Sequence, residues 1–202
     1  MLAMCAEHGD LVRMMVTVNP NHTDHALNEI ERCVSRGAIG VKLLASRRAD
    51  DALLDPVCER AAKQHLPVLH HIWQQRTRDW PNQEISDGAD LGVLAKRHSK
   101  VTFILAHIGG GGNYRHTFEA IRDIPNIVAD ISGSGVDRGM LDGALQAVGP
   151  KRLLFATDLT METGLAKLRA LEPTGLVSPD DLDDIRWRNC VRIFRPGAFR
   201  VS

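Results

Sequence analysis

Short apolar, β-branched runs recur along the chain at nearly even intervals, over 12–18, 38–44, 67–72, 101–107, 126–131 and 152–157. Between them the apolar period switches from two to about 3.6 residues, the mark of amphipathic helices. In the first such segment Ala26, Leu27, Ile30, Cys33 and Val34 keep one face apolar, and Gly37 follows as a stop signal. Asn19-Pro20 opens that segment, with Asn21 or Thr23 as caps. Leu54, Val57, Cys58, Ala61 and Ala62 repeat the pattern behind an N-cap at Asp50 or Asp51. Further helices are predicted over 87–98, 114–123, 137–148, 161–171 and 179–194. Regular β-α alternation implies a parallel sheet covered on both faces, either a barrel or a doubly wound layer. No G-x-G-x-x-G follows the first strand and no G-x-x-x-x-G-K-[ST] occurs, which disfavours the nucleotide-binding doubly wound folds. The spacing, about 28 residues per unit, fits the units of a (β/α)8 barrel, and a three-layer sheet also tolerates it.

Composition narrows the class. With 202 residues, 44% of them hydrophobic, the chain can bury the core of a single domain. Its 25 basic and 25 acidic side chains argue against nucleic acid or an anionic membrane as the main partner. No apolar stretch is long enough to span a bilayer, and the apolar residues 1–6 lack the basic leader of a signal peptide. The four cysteines show no paired spacing and read as free thiols, which points to the reducing cytoplasm. At 202 residues the chain is short of the roughly 250 of a complete barrel.

The candidate chemistry lies at strand ends. His70 and His71 close the third apolar run, His107 the fourth and Asp130 the fifth, while Asp158 follows the sixth. In a parallel α/β fold these carboxyl ends share one face, where sites assemble. Imidazole and carboxylate groups so grouped suit a divalent metal and an activated water. Each has a structural alternative: a hydrogen-bonded histidine, or for Asp158 a helix N-cap. Because successive strand residues face opposite sides, only one of His70 and His71 points inward. The loop after His71 carries Trp73, Arg76, Arg78 and Trp80, where Arg76 or Arg78 offers a bidentate partner to an acidic substrate or belongs to a solvated surface. Gly109 to Gly112 offer either backbone amides to an anion or a plain βα-loop. Ser132-Gly-Ser-Gly135 lacks the spacing of a nucleophile motif.

Six segments occur in order: G-V-K-L at 40–43, L-P-V-L-H-H at 66–71, F-I-L-A-H-I-G-G at 103–110, N-I-V-A-D-I-S at 126–132, L-F-A-T-D at 154–158 and R-N-C-V-R-I-F at 188–194. In these the sequence resembles the amidohydrolase-related metal-dependent hydrolases, the family that includes aminocarboxymuconate-semialdehyde decarboxylase. The resemblance implies a (β/α)8 barrel with a mononuclear metal site, usually zinc. It implies that His71 and Asp158 are metal ligands, that Asp158 orients a water, and that His107 acts as acid/base or reaches the metal. His71-Ile-Trp73 is similar to the H-x-W of the decarboxylase branch, and Lys42 is read as a contact to a substrate carboxylate.

The departures are specific. The family's H-x-H, two ligands on its first strand, has no counterpart; His22 and His25 open a helix instead. Ala156 replaces the usual glycine of F-G-T-D, and Thr160 stands where proline often follows. The expectation is therefore one barrel domain over 1–202 lacking its first one or two βα units. Its expected activity is metal-dependent hydrolysis or non-oxidative decarboxylation of a small, carboxylated substrate. The residues expected to act are His107 and Asp158 in catalysis, Trp73, Arg76 and Lys42 on substrate, and His71, Asp158 and His107 on zinc. The rival is a catalytically impaired barrel that serves as a binding or assembly subunit; open strand edges favour a homodimer in either case.

Overall fold

Every predicted apolar run contains a strand in the computed structural model, which describes residues 2–9, 11–73, 83–108, 112–133, 138–158 and 161–199. The strands are β1 (Met15–Thr17), β2 (Gly40–Leu43), β3 (Val68–His71), β4 (Phe103–Ala106), β5 (Ile127–Asp130) and β6 (Leu153–Leu154). All pair in parallel in the order β1-β2-β3-β4-β5-β6, so each connection returns the chain to the neighbouring position. The returns are made by α2 (Thr23–Val34), α3 (Asp55–Lys63), α4 (Gly88–Arg97), α5 (Tyr114–Ile121) and α6 (Arg138–Val148), with α7 (Met161–Leu171) after β6. A short α1 (Leu2–Glu7), which the sequence pattern did not predict, precedes β1.

Two side-chain populations follow from the strand period of two. Val16, Val41, Val68, Phe103, Leu105, Ile127 and Leu153 join Ile30, Val57, Leu91, Leu94, Ile121 and Leu141 of the helices in one large core. The alternate residues Ile104, Val128 and Leu154 form a smaller cluster with Leu69, closed by Ile193 and Phe194 near the C-terminus. Both strand faces are therefore covered, which is why β4 and the first three residues of β5 read as unbroken apolar runs.

Local signals resolve differently in places. The entry to α2 is capped from Asn19, whose side chain accepts from the Asn21 amide at 3.0 Å, and not from Asn21 or Thr23. A proline at the next position, with its preset φ, favours this earlier turn. Asp51 rather than Asp50 caps the turn before α3, and Gly37 ends the α2 segment at φ 94°. The segment predicted as one helix over 179–194 is helical but interrupted: α8 (Pro179–Asp183), a π turn over Asp184–Arg188, then α9 (Asn189–Ile193). Asn189 is buried there and donates to the carbonyls of Pro150 and Leu153, at 2.8 and 2.9 Å. That ties the C-terminal helix to the start of β6. Cys33 and Cys58 are buried, Cys5 and Cys190 half-buried, and all four thiols are free.

Candidate active site

The two adjacent histidines of β3 divide between the faces as the strand period requires. His70 is fully buried, and its Nδ1 is 2.9 Å from the His71 carbonyl. Burial pushes its pKa down to about 4, so it is a neutral core residue. His71 is half-buried, its ring centroid 5.3 Å from that of His107 and 6.1 Å from that of Trp73, edge-on to both. Burial first, then the charge of Lys42, brings its pKa down to about 4 as well. A neutral imidazole is the form that accepts a proton or binds a metal.

His107 immediately follows β4 and is held from two sides. Its Nδ1 is 2.6 Å from Ser132 Oγ and its Nε2 is 3.5 Å from Asp158. Ser132 Oγ in turn donates to the buried carboxylate of Asp130 at 2.5 Å, and the Ser132 amide donates to the same oxygen at 3.0 Å. This chain fixes the proton. Asp130 can only accept, so the single hydroxyl proton of Ser132 points to it, and Ser132 Oγ must accept from His107. Nδ1 of His107 is therefore the nitrogen that donates to Ser132, and Nε2 faces Asp158. The φ of Gly133 is 60°, and its backbone passes so close to the ring that a Cβ there would lie 2.5 Å from His107 Cγ.

Lys42 stands on β2 in the row Thr17, Lys42, Leu69, Ile104 and Val128, so it shares the inner face with His71. Burial lowers its pKa, opposed by the charges of Asp130 and Asp158. Asp158, just beyond β6, is the most open member, 40% exposed at its side chain and at a left-handed φ of 56°. The structure thus brings His71, His107, Asp158, Lys42 and Trp73 to one end of the sheet. Arg76, with Arg78 and Trp80, lies outside the described residues. So do Gly109 to Gly111; the first amides of α5 are capped by Asn113, which accepts from Arg115 and His116.

A divalent ion is tested here by the donors. His71 and Asp158 fit one in chemistry, an imidazole held neutral and an open carboxylate. Their number does not suffice: among the described residues no three His, Cys, Asp or Glu side chains are grouped to hold a metal.

A parallel, sequentially ordered βα wall with an imidazole–carboxylate cluster at its carboxyl ends is the arrangement of an α/β barrel, whose sites assemble at that end. A family model described as Amidohydrolase matches residues 1–195, and the chain belongs to that family. No curated protein matches the sequence. Among solved structures, a 5-carboxyvanillate decarboxylase from Sphingomonas paucimobilis is 20% identical, with a TM-score of 0.72 over 96% of this chain and 70% of its own. A 2,6-dihydroxybenzoate decarboxylase from Rhizobium is 19% identical, with a TM-score of 0.73 over 95% of this chain and 73% of its own. A dihydroxybenzoic acid decarboxylase from Polaromonas, solved with manganese and 2-nitroresorcinol, is 18% identical, with a TM-score of 0.72 over 95% and 71%. The six units are thus a consecutive run of a TIM-type barrel.

Two members of the cluster are not evident from the sequence pattern. Ser132 appears there as the last residue of N-I-V-A-D-I-S and in a motif that fails as a nucleophile elbow, although Asp130 and Ser132, two apart at a strand end, share a side by simple alternation. Lys167 of α7 is fully buried and donates to the carbonyls of Ser132, at 3.1 Å, and Gly133. Its signal is a lysine on the stripe formed by Gly164, Leu168 and Leu171.

Proposed function

We propose that the chain carries the acid–base half of a non-oxidative decarboxylase or hydrolase that acts on a small carboxylated substrate. The observation behind this reading is the fixed orientation of His107, whose Nδ1 is held by Ser132 while Nε2 is aimed into the strand-end cluster beside Asp158. In the decarboxylating direction Nε2 first takes a proton from solvent. It passes that proton to the substrate carbon bearing the carboxylate; the carbon–carboxylate bond then breaks, its electron pair restores the substrate π system, and CO2 leaves. Asp158 steadies the transient imidazolium, and Nδ1 stays anchored on Ser132. Lys42 meets the substrate carboxylate, and Trp73, with Arg76, lines the rim.

His71 and Asp158 would hold a divalent ion, zinc by the donor type, together with ligands from outside the described residues; bound there, it supplies Lewis-acid polarisation. The four free thiols support a cytoplasmic location, although the helices show only that none described is long and apolar enough to cross a membrane. β1 and β6 end the described sheet, which supports pairing with a second copy.

A second reading has its own observation: two metal donors without a third among the described residues favour a binding or assembly subunit of impaired catalysis. One experiment separates the two. Purified protein is incubated with 2,6-dihydroxybenzoate or 5-carboxyvanillate, with and without added zinc or manganese, and CO2 release is followed. Turnover that falls by about 10²-fold or more in His107→Ala supports the acid–base role. Turnover unchanged by that substitution refutes it, and absence of turnover under every condition favours the subunit.

A further inference from the structure

Lys167 is a costly residue to bury, because an ammonium removed from water needs its hydrogen bonds and countercharges supplied by the protein. The two acceptors it finds, the carbonyls of Ser132 and Gly133, belong to two of the residues that touch His107. Ser132 Oγ accepts a hydrogen bond from Nδ1, and the Gly133 backbone supports the face of the ring. The charges of Asp130 and Asp158 act on the same ammonium. A cation from a helix 35 residues along the chain thus grips the turn after β5 at the point where that turn holds the imidazole.

We propose that Lys167 is a positioning residue for His107: its ammonium clamps the Ser132 and Gly133 carbonyls and so keeps Nδ1 of His107 donating to Ser132 and Nε2 turned toward Asp158. The inference deepens the acid–base reading of His107 and rests on it only for consequences in turnover. Without the clamp, the turn can leave the ring and the imidazole exchanges between tautomers.

The test reads the tautomer directly. Protein labelled with ¹⁵N-histidine is examined by long-range ¹H–¹⁵N correlation at about pH 8, above the ordinary histidine range, with His107 assigned by loss of its signals in His107→Gln. The wild type should show well-separated nitrogen shifts, protonated at Nδ1 and bare at Nε2. In Lys167→Met the separation should fall by at least half while a cooperative melt persists. Ser132→Ala should lose it similarly with Lys167 in place, and Lys167→Gln, which keeps a donor, should be intermediate. A folded Lys167→Met that retains the full separation overturns the proposal. If neither lysine variant melts cooperatively while Ser132→Ala folds, Lys167 is a residue of the fold alone and the proposal fails. A wild type with a fixed tautomer but no turnover leaves the positioning role standing and removes the catalytic reading.

Discussion

Gly133→Ala is expected to destabilise the protein by about 2–5 kcal/mol, through two separable causes. The first is the backbone: at φ 60° an L-residue costs roughly 1–2 kcal/mol. The second is the ring of His107, since the new Cβ would lie 2.5, 2.7 and 2.9 Å from its Cγ, Cβ and Cδ2. Carbon atoms prefer roughly 3.5–4.0 Å. The ring cannot simply swing away, because Nδ1 is bonded to Ser132 and Nε2 faces Asp158. Overpacking of this kind costs roughly 1–3 kcal/mol.

Gly175→Ala supplies the control. Gly175 is left-handed at φ 69°, but a methyl group added there would meet nothing within 4 Å, so only the backbone cost of roughly 1–2 kcal/mol should appear. Urea denaturation of both variants, and of Gly133→Ala combined with His107→Ala, isolates the contact. The excess of Gly133→Ala over Gly175→Ala should be about 1–3 kcal/mol and should vanish when the imidazole is gone. If Gly133→Ala costs no more than Gly175→Ala, or the excess survives in the His107→Ala background, the ring is not seated on Gly133 and the account of its fixed orientation is wrong.

His70 should make the protein acid-sensitive. Its native pKa, about 4, lies below its ordinary 6.5, so the unfolded chain takes up a proton that the native state refuses. This contribution is fully present above about pH 6.5 and is lost as pH falls toward the native pKa, reaching on the order of 3 kcal/mol. Urea midpoints at about pH 7.5 and 4.5 should differ more in the wild type than in His70→Phe; equal slopes would show that the burial of His70 does not govern this window. Asn189→Ala strips the donor from the half-buried carbonyl of Pro150 and the buried one of Leu153. A loss of roughly 2–4 kcal/mol is expected from two orphaned acceptors, seen as a lower melting temperature, and an unchanged melt would remove Asn189 as the anchor of β6.

What the sequence alone determined is what neighbours along the chain decide. Apolar period, glycine stops and helix caps are local, so six strands and their returning helices were legible, as was the meeting of His71, His107 and Asp158 at one sheet edge: parallel strands all end on the same side. The period of two also assigns His70 and His71 to opposite faces without reference to the fold. The local signals failed where one turn could be satisfied from several places, as in the cap at Asn19, or where a helix absorbed an extra residue, as in the π turn before Asn189. Only the tertiary structure decided that Nδ1 is the nitrogen of His107 that donates to a partner, because that depends on Ser132, 25 residues away, and on the acceptor-only carboxylate of Asp130. Only it could give Lys167 a partner. By residue type a lysine belongs in water and by position this one belongs to a buried stripe; what settles the conflict is the packing of α7 against the turn after β5, which brings two carbonyls to the ammonium from another part of the chain.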